Sequence, residues 1–87
     1  MPKTKKALTS REVFARNLRR ARRLKDMTQE ALALDAGVQR GYLSRVEAGA
    51  VNISLDKADA LSKAVGVQLR DLVDPTRFSD IDESPAG

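Results

Sequence analysis

The 87-residue chain contains neither cysteine nor histidine. The first absence removes disulfides and thiolate chemistry and the second removes imidazole acid–base catalysis. Together they remove the usual zinc ligands. No apolar run approaches the roughly 20 residues that span a bilayer, and the start MPKTKKALTS lacks the apolar stretch of a secretory signal. Neither GxSxG nor GxxxxGK[ST] occurs, so no nucleophile elbow or phosphate-binding loop can be assigned. These absences predict a cytoplasmic protein that is not an enzyme and needs no metal or cofactor. Its length suits one small domain with a modest core, a size at which a partner often adds stability.

What is present is charge, unevenly placed. From Met1 to Lys25 there are ten Lys and Arg against one acid, Glu12, a balance of +9; the remainder has six against eleven, a balance of −5. A basic segment in a chain with pI near 9.9 is the footprint of a polyanion partner, nucleic acid above all. A charge run, however, is usually only a solvated face.

Five helical patterns and no convincing strand predict an all-α fold. Thr9 and Glu12 have capping-box spacing and Leu8 with Val13 can form a hydrophobic staple, so a first helix should run from about Ser10 to Lys25. On it Phe14, Leu18 and Ala21 share one face, and Arg16, Arg19, Arg20 and Arg23 gather opposite as a face expected to stay solvated. Arg22 lies at the border of the apolar side, where a charge needs a partner. Thr28 can cap a second helix over Gln29–Ala36 that Gly37 ends. A third spans about Gln39–Glu47, burying Leu43 and Val46 and stopping at Gly49. Ser54 caps a fourth helix carrying Leu55, Ala58, Leu61, Ala64 and Val65, closed by Gly66; a short fifth holds Leu69, Leu72 and Val73, and Asp74-Pro75 ends it. Residues 1–9 read as a basic arm, with Lys3, Lys5 and Lys6 able to follow a DNA backbone but more in keeping with a disordered tail; 10–73 read as the folded domain; and 74–87 as an acidic tail expected to be mobile.

Two helices that cross at roughly 90 to 120° about a short turn need a small residue at the crossing and a glycine in the turn. Ala33 and Gly37 supply them, with Leu43 and Val46 as the inner face of the second helix. Here the chain resembles a known family. Over Phe14–Val73, the segments FARNLRRAR, MTQEALALDAGV, RGYLSRVEAG and LDKADALSKAVGVQLRDLV are similar, in order, to the lambda-repressor-like, Cro/repressor-type helix-turn-helix family, also called the xenobiotic-response-element family. The resemblance implies a compact five-helix domain that binds double-stranded DNA as a transcription regulator of phage, plasmid, restriction-modification-controller or chromosomal prokaryotic type, acting as a homodimer on a near-palindromic operator. It would repress by occlusion or activate by touching RNA polymerase.

The resemblance also implies roles. Gln29 matches a residue that meets a DNA phosphate at a helix N-terminus. Gln39, Arg40, Gly41, Ser44 and Arg45 match the outer face of the recognition helix, which enters the major groove. Arg40 is the foremost base reader, because arginine can bind guanine O6 and N7 together. Gly41 departs from the polar residue more common at its place, leaving room for close backbone approach or a thymine methyl. Arg22 matches an arginine that pairs with an acid at the end of the recognition helix, here Glu47, and Glu47 one position past Val46 points partly inward, where a carboxylate is tolerable only if paired.

Other residues carry two readings. Tyr42 can reach a phosphate through its hydroxyl or pack its ring at the core's edge; Asn52 can reach a phosphate from its loop or cap a turn. Val67, Leu69, Leu72 and Val73 hold more apolar side chain than a terminal two-turn helix needs, and with Val51 and Ile53 they form a candidate two-fold interface. Two rivals stand beside the regulator. A membrane-surface role for the basic first helix is weakened by an apolar side whose only aromatic is Phe14. A DNA-binding antitoxin that neutralises a toxin protein could use Phe78 and Ile81 in the acidic tail.

Overall fold

In the computed structural model, which describes residues 7–78, five helices follow one another: α1 (Ser10–Leu24), α2 (Gln29–Ala36), α3 (Arg40–Glu47), α4 (Leu55–Val65) and α5 (Leu69–Leu72). No strand occurs among the described residues, and the fold is all-α. The helix starts have local causes. Thr9 Oγ1 accepts from the Glu12 N–H at 3.1 Å while Glu12 Oε1 accepts from the Thr9 N–H at 2.9 Å, a complete capping box. Thr28 Oγ1 and Ser54 Oγ each accept, at 3.0 Å, from the backbone N–H three residues on, at Ala31 and Lys57. Helix α3 begins one residue later than its pattern suggests. Gln39 has an extended backbone and precedes it as a cap whose side chain makes no capping bond.

Gly37 makes the turn of the helix pair. Its φ of 73° is open to glycine at little cost and lets the Val38 N–H return to the Ala33 carbonyl at 3.0 Å, ending α2 and redirecting the chain into α3. Phe14, Leu18 and Ala21 of α1 meet Leu32 and Ala33 of α2, Leu43 and Val46 of α3, Ala58, Leu61 and Val65 of α4, and Leu72 of α5 in one buried cluster. Burying a leucine or valine contributes about 1.5 to 3 kcal/mol relative to leaving it exposed. Helix α3 packs inward on α1 and α2, so its opposite face is left outward.

Two features depart from the sequence reading. Asn17, on the buried side of α1, is fully buried, and its Nδ2 donates to the carbonyls of Asp74 (2.9 Å), Leu72 (3.1 Å) and Asp71 (3.3 Å), capping the end of α5. The last carbonyls of a helix have no intrahelical donor; here a side chain of α1 supplies one. The arginine face is also not simply solvated. Arg16 Nη2 donates to the Pro75 carbonyl at 2.9 Å, Arg20 Nη1 to the Phe78 carbonyl, and Arg19 Nη1 to the Glu47 carbonyl at 2.9 Å. All three side chains are half-buried.

The segment after α5 is consequently held. Asp74 Oδ1 accepts from the N–H and the hydroxyl of Thr76, at 2.8 and 2.7 Å, and these bonds hold the Asp74 carboxyl below its usual pKa. Phe78 packs against the core with the Arg77 guanidinium over its ring. Within the described residues, 74–78 are therefore packed onto the helices. The arm residues Lys3, Lys5 and Lys6, and Ile81 with the rest of the acidic tail, lie outside the described residues.

Candidate nucleic-acid interface

Helix α3 divides cleanly. Leu43, Val46 and Glu47 are buried, while Arg40, Gly41, Ser44 and Arg45 are exposed, with Gln39 exposed at the cap. Positions 40, 41, 44 and 45 fall on one helical face. That face carries two guanidinium groups, one hydroxyl and one gap, on a helix about 12 Å long. It is narrow enough for a major groove and rich in donors for base edges.

The flank of α3 adds a residue that the sequence reading passed over. Tyr42 is half-buried with its ring against the core, and Lys57, from the first turn of α4, places its ammonium 5.7 Å from the ring centroid. Lys57 is exposed, so α4 sets a cation at the flank of α3.

Behind α3 lies a buried polar network. Arg22 Nε and Nη2 donate to Glu47 Oε2 and Oε1 at 2.7 and 2.9 Å, a bidentate pair whose side chains are 10% and 3% exposed. Arg22 Nη1 also donates to the Met27 carbonyl at 2.8 Å, and Gln29 Nε2 donates to Glu47 Oε1 at 3.0 Å. One carboxylate thus ties α1, the start of α2 and the end of α3 together. No buried side-chain nitrogen or oxygen among the described residues lacks a partner, as a low-dielectric network requires. The amide nitrogen of Gln29 points at Glu47. What it can offer a phosphate is its backbone N–H in the first turn of α2 and the second N–H of its side-chain amide.

Asn52 is exposed in the loop before α4. Its Oδ1 accepts from Arg11 Nη1 at 2.9 Å, joining the loop before α4 to the start of α1. Beside this bond runs an apolar groove of about 400 Å³ lined by Phe14, Ile53, Leu55, Ala58, Leu69 and Val73. Ile53, Leu69 and Val73 of the candidate interface meet here, Val73 being 45% exposed, and Leu55, 78% exposed, extends it. Val51 is half-buried against the core, and Val67 lines a separate hollow at the end of α4. Leu72 is a correction: it is fully buried in the core and unavailable to a second copy. Helix α5 has only four residues, and the Asn17 bonds at its end turn Leu72 inward.

A helix-turn-helix family model matches residues 18–72, most of the described chain. The chain belongs to that family, of the lambda-repressor-like, Cro/repressor type. Among its relatives, the control protein C.BamHI of Bacillus amyloliquefaciens is 39% identical over 74 residues, spanning 84% of this chain and 91% of that protein. The crystal structure of the restriction-modification controller protein C.AhdI from Aeromonas hydrophila matches with a TM-score of 0.69 at 35% identity, covering 71% of this chain and 94% of that one. The hypothetical transcription factor NHTF from Neisseria matches with a TM-score of 0.74 at 32% identity, covering 86% and 90%.

Proposed function

We propose that this chain is a sequence-specific, double-stranded DNA-binding transcription regulator of the restriction-modification-controller kind. It works inside the cell, carries out no catalysis, and occupies its operator as a homodimer. The observation that carries the reading is the outward face of α3, with Arg40, Ser44 and Arg45 exposed on a helix whose inner side is locked by Glu47. The controller relatives support the class. Arg40 and Arg45 read bases from the major groove, Gln39 and Ser44 accompany them, and Gln29 and Tyr42 with Lys57 meet the phosphates. Asn52, exposed in its loop, donates its Nδ2 to a phosphate while its Oδ1 accepts from Arg11. Bound upstream of a promoter such a dimer touches RNA polymerase, and bound across one it occludes it. The antitoxin reading loses its main support, since Phe78 packs on the chain's own core.

The groove at Ile53, Leu55, Leu69 and Val73 takes a second copy of the same chain across a two-fold axis. Two recognition helices are then about 34 Å apart, one turn of DNA. Selection of bound duplexes from a random pool should enrich one motif made of two inverted half-sites, and sedimentation of Leu55→Asp should show a monomer where the unaltered chain is a dimer. Enrichment of a single half-site, with the unaltered chain monomeric at high concentration, would refute the dimer. No enrichment at all would refute DNA recognition.

A further inference from the structure

Gly41 is a residue of the α3 outer face whose small size the free fold does not require. Gly37, Gly49 and Gly66 hold φ angles of 73°, 71° and 75°, where other residues are strained. Gly41 is not among these positive-φ glycines; it sits inside α3, and a Cβ built on it would meet nothing nearer than Arg45 Nη1, at 3.8 Å. Alanine would fit without any neighbour moving, and alanine is the better helix former. The free chain thus carries a small instability with no return in its own packing, and the position is exposed on the face proposed to meet DNA. The missing side chain serves something outside the chain.

The shape and chemistry of the gap say what. It is floored by an α-carbon and bounded on one side by the Arg45 guanidinium, one helical turn on. It offers no side-chain donor or acceptor, so its complement is small and apolar. The major-groove edges of the four base pairs display one such group, the 5-methyl of thymine. Arg45, whose Nη1 borders the gap at 3.8 Å, can bind the O6 and N7 of a guanine next to a base whose methyl enters it. Resting on the reading of α3 as the recognition helix, we propose that Gly41 is a specificity-determining residue: its gap receives the 5-methyl of a thymine adjacent to the guanine bound by Arg45.

The probe is the duplex that the unaltered protein selects from a random pool, with its thymines replaced one at a time by uracil, which removes only the methyl. At one thymine in each half-site, next to a guanine, uracil should weaken the unaltered protein about 3- to 5-fold, the worth of one buried methyl. Gly41→Ala should bind the thymine duplex roughly tenfold more weakly, because its own methyl fills the gap, and should be nearly indifferent to uracil at that position. Its urea midpoint should equal or exceed that of the unaltered protein, which separates lost recognition from lost folding. Gly41→Ala binding the thymine duplex as well as the unaltered protein would overturn the proposal. So would equal losses on thymine, uracil and scrambled duplexes, which would mean that glycine admits the backbone and reads no methyl. Failure of the unaltered protein to enrich any duplex would overturn the recognition reading itself, and this inference with it.

Discussion

Replacing Glu47 by leucine will destabilise the fold by about 3 to 5 kcal/mol, and Arg22→Met by a similar amount, because each leaves the other charge buried without its partner. The magnitude follows from burial. An exposed ion pair contributes about 0 to 1 kcal/mol, but these side chains are 10% and 3% exposed and bonded through two nitrogens and two oxygens. A domain of this kind is stable by only about 5 to 15 kcal/mol, so either single replacement approaches global unfolding. The double replacement should recover most of the loss, since the net worth of a buried pair is small compared with the cost of stranding one charge. Recovery will be short by about 1 kcal/mol, since the Met27 carbonyl loses a donor and Gln29 an acceptor. Urea melts of the four proteins form a double-mutant cycle. Single variants within about 1 kcal/mol of the unaltered chain would show that the two charges do not depend on each other.

Asn17→Ala has the next largest expected effect, about 2 to 4 kcal/mol, from the carbonyls of Leu72 and Asp74 losing their donor in a buried place. The loss should be directional. Helix α5 has four residues and no side-chain cap at its start, so without Asn17 the carbonyls at its end lose the buried side-chain donor that fixes Leu72 in the core. Asn17→Asp separates hydrogen bonding from volume: it keeps the size of the side chain but replaces the amide donor by a carboxylate that faces carbonyl oxygens. It should be at least as unstable as Asn17→Ala, and both should weaken self-association through Leu69 and Val73. Urea melts that place Asn17→Asp close to the unaltered protein would mean that Asn17 acts by filling space.

The contrast between these two predictions shows what was legible in the sequence. Thr9, Thr28 and Ser54 act within three residues of themselves, and Gly37 and Gly66 act through their own φ angles, so the helix boundaries could be read locally. Arg22 announced itself as a charge at the edge of an apolar stripe, and the structure brings it to Glu47. Asn17 gave only a weak sign, a polar residue between Phe14 and Ala21. The acceptors of its Nδ2 are more than fifty residues away and are backbone carbonyls, which no side-chain pattern marks. The same applies to the bonds that Arg16 and Arg20 give to the carbonyls of Pro75 and Phe78. A solvated arginine face and one that caps a distant turn have the same sequence. Leu72 was misassigned because a single turn of helix has too few residues to define a face. Lys57 was overlooked because its link to Tyr42 joins two helices, and the spacing within either one does not reveal it.

In the proposed function α3 reads bases while the start of α2 grips the backbone. Arg40→Ala and Gln29→Ala separate the two, since base contacts specify and phosphate contacts position. The direct measurement is the affinity of each variant, at one fixed salt concentration, for the selected operator and for a scrambled duplex of the same composition. Arg40→Ala should lose at least about 30-fold on the operator and little on scrambled DNA, because each protomer of the dimer loses a bidentate guanine contact worth about 1 to 3 kcal/mol, while Gln29→Ala should weaken both alike. Equal loss on the two duplexes for Arg40→Ala would contradict the assignment of α3 as the helix that reads sequence.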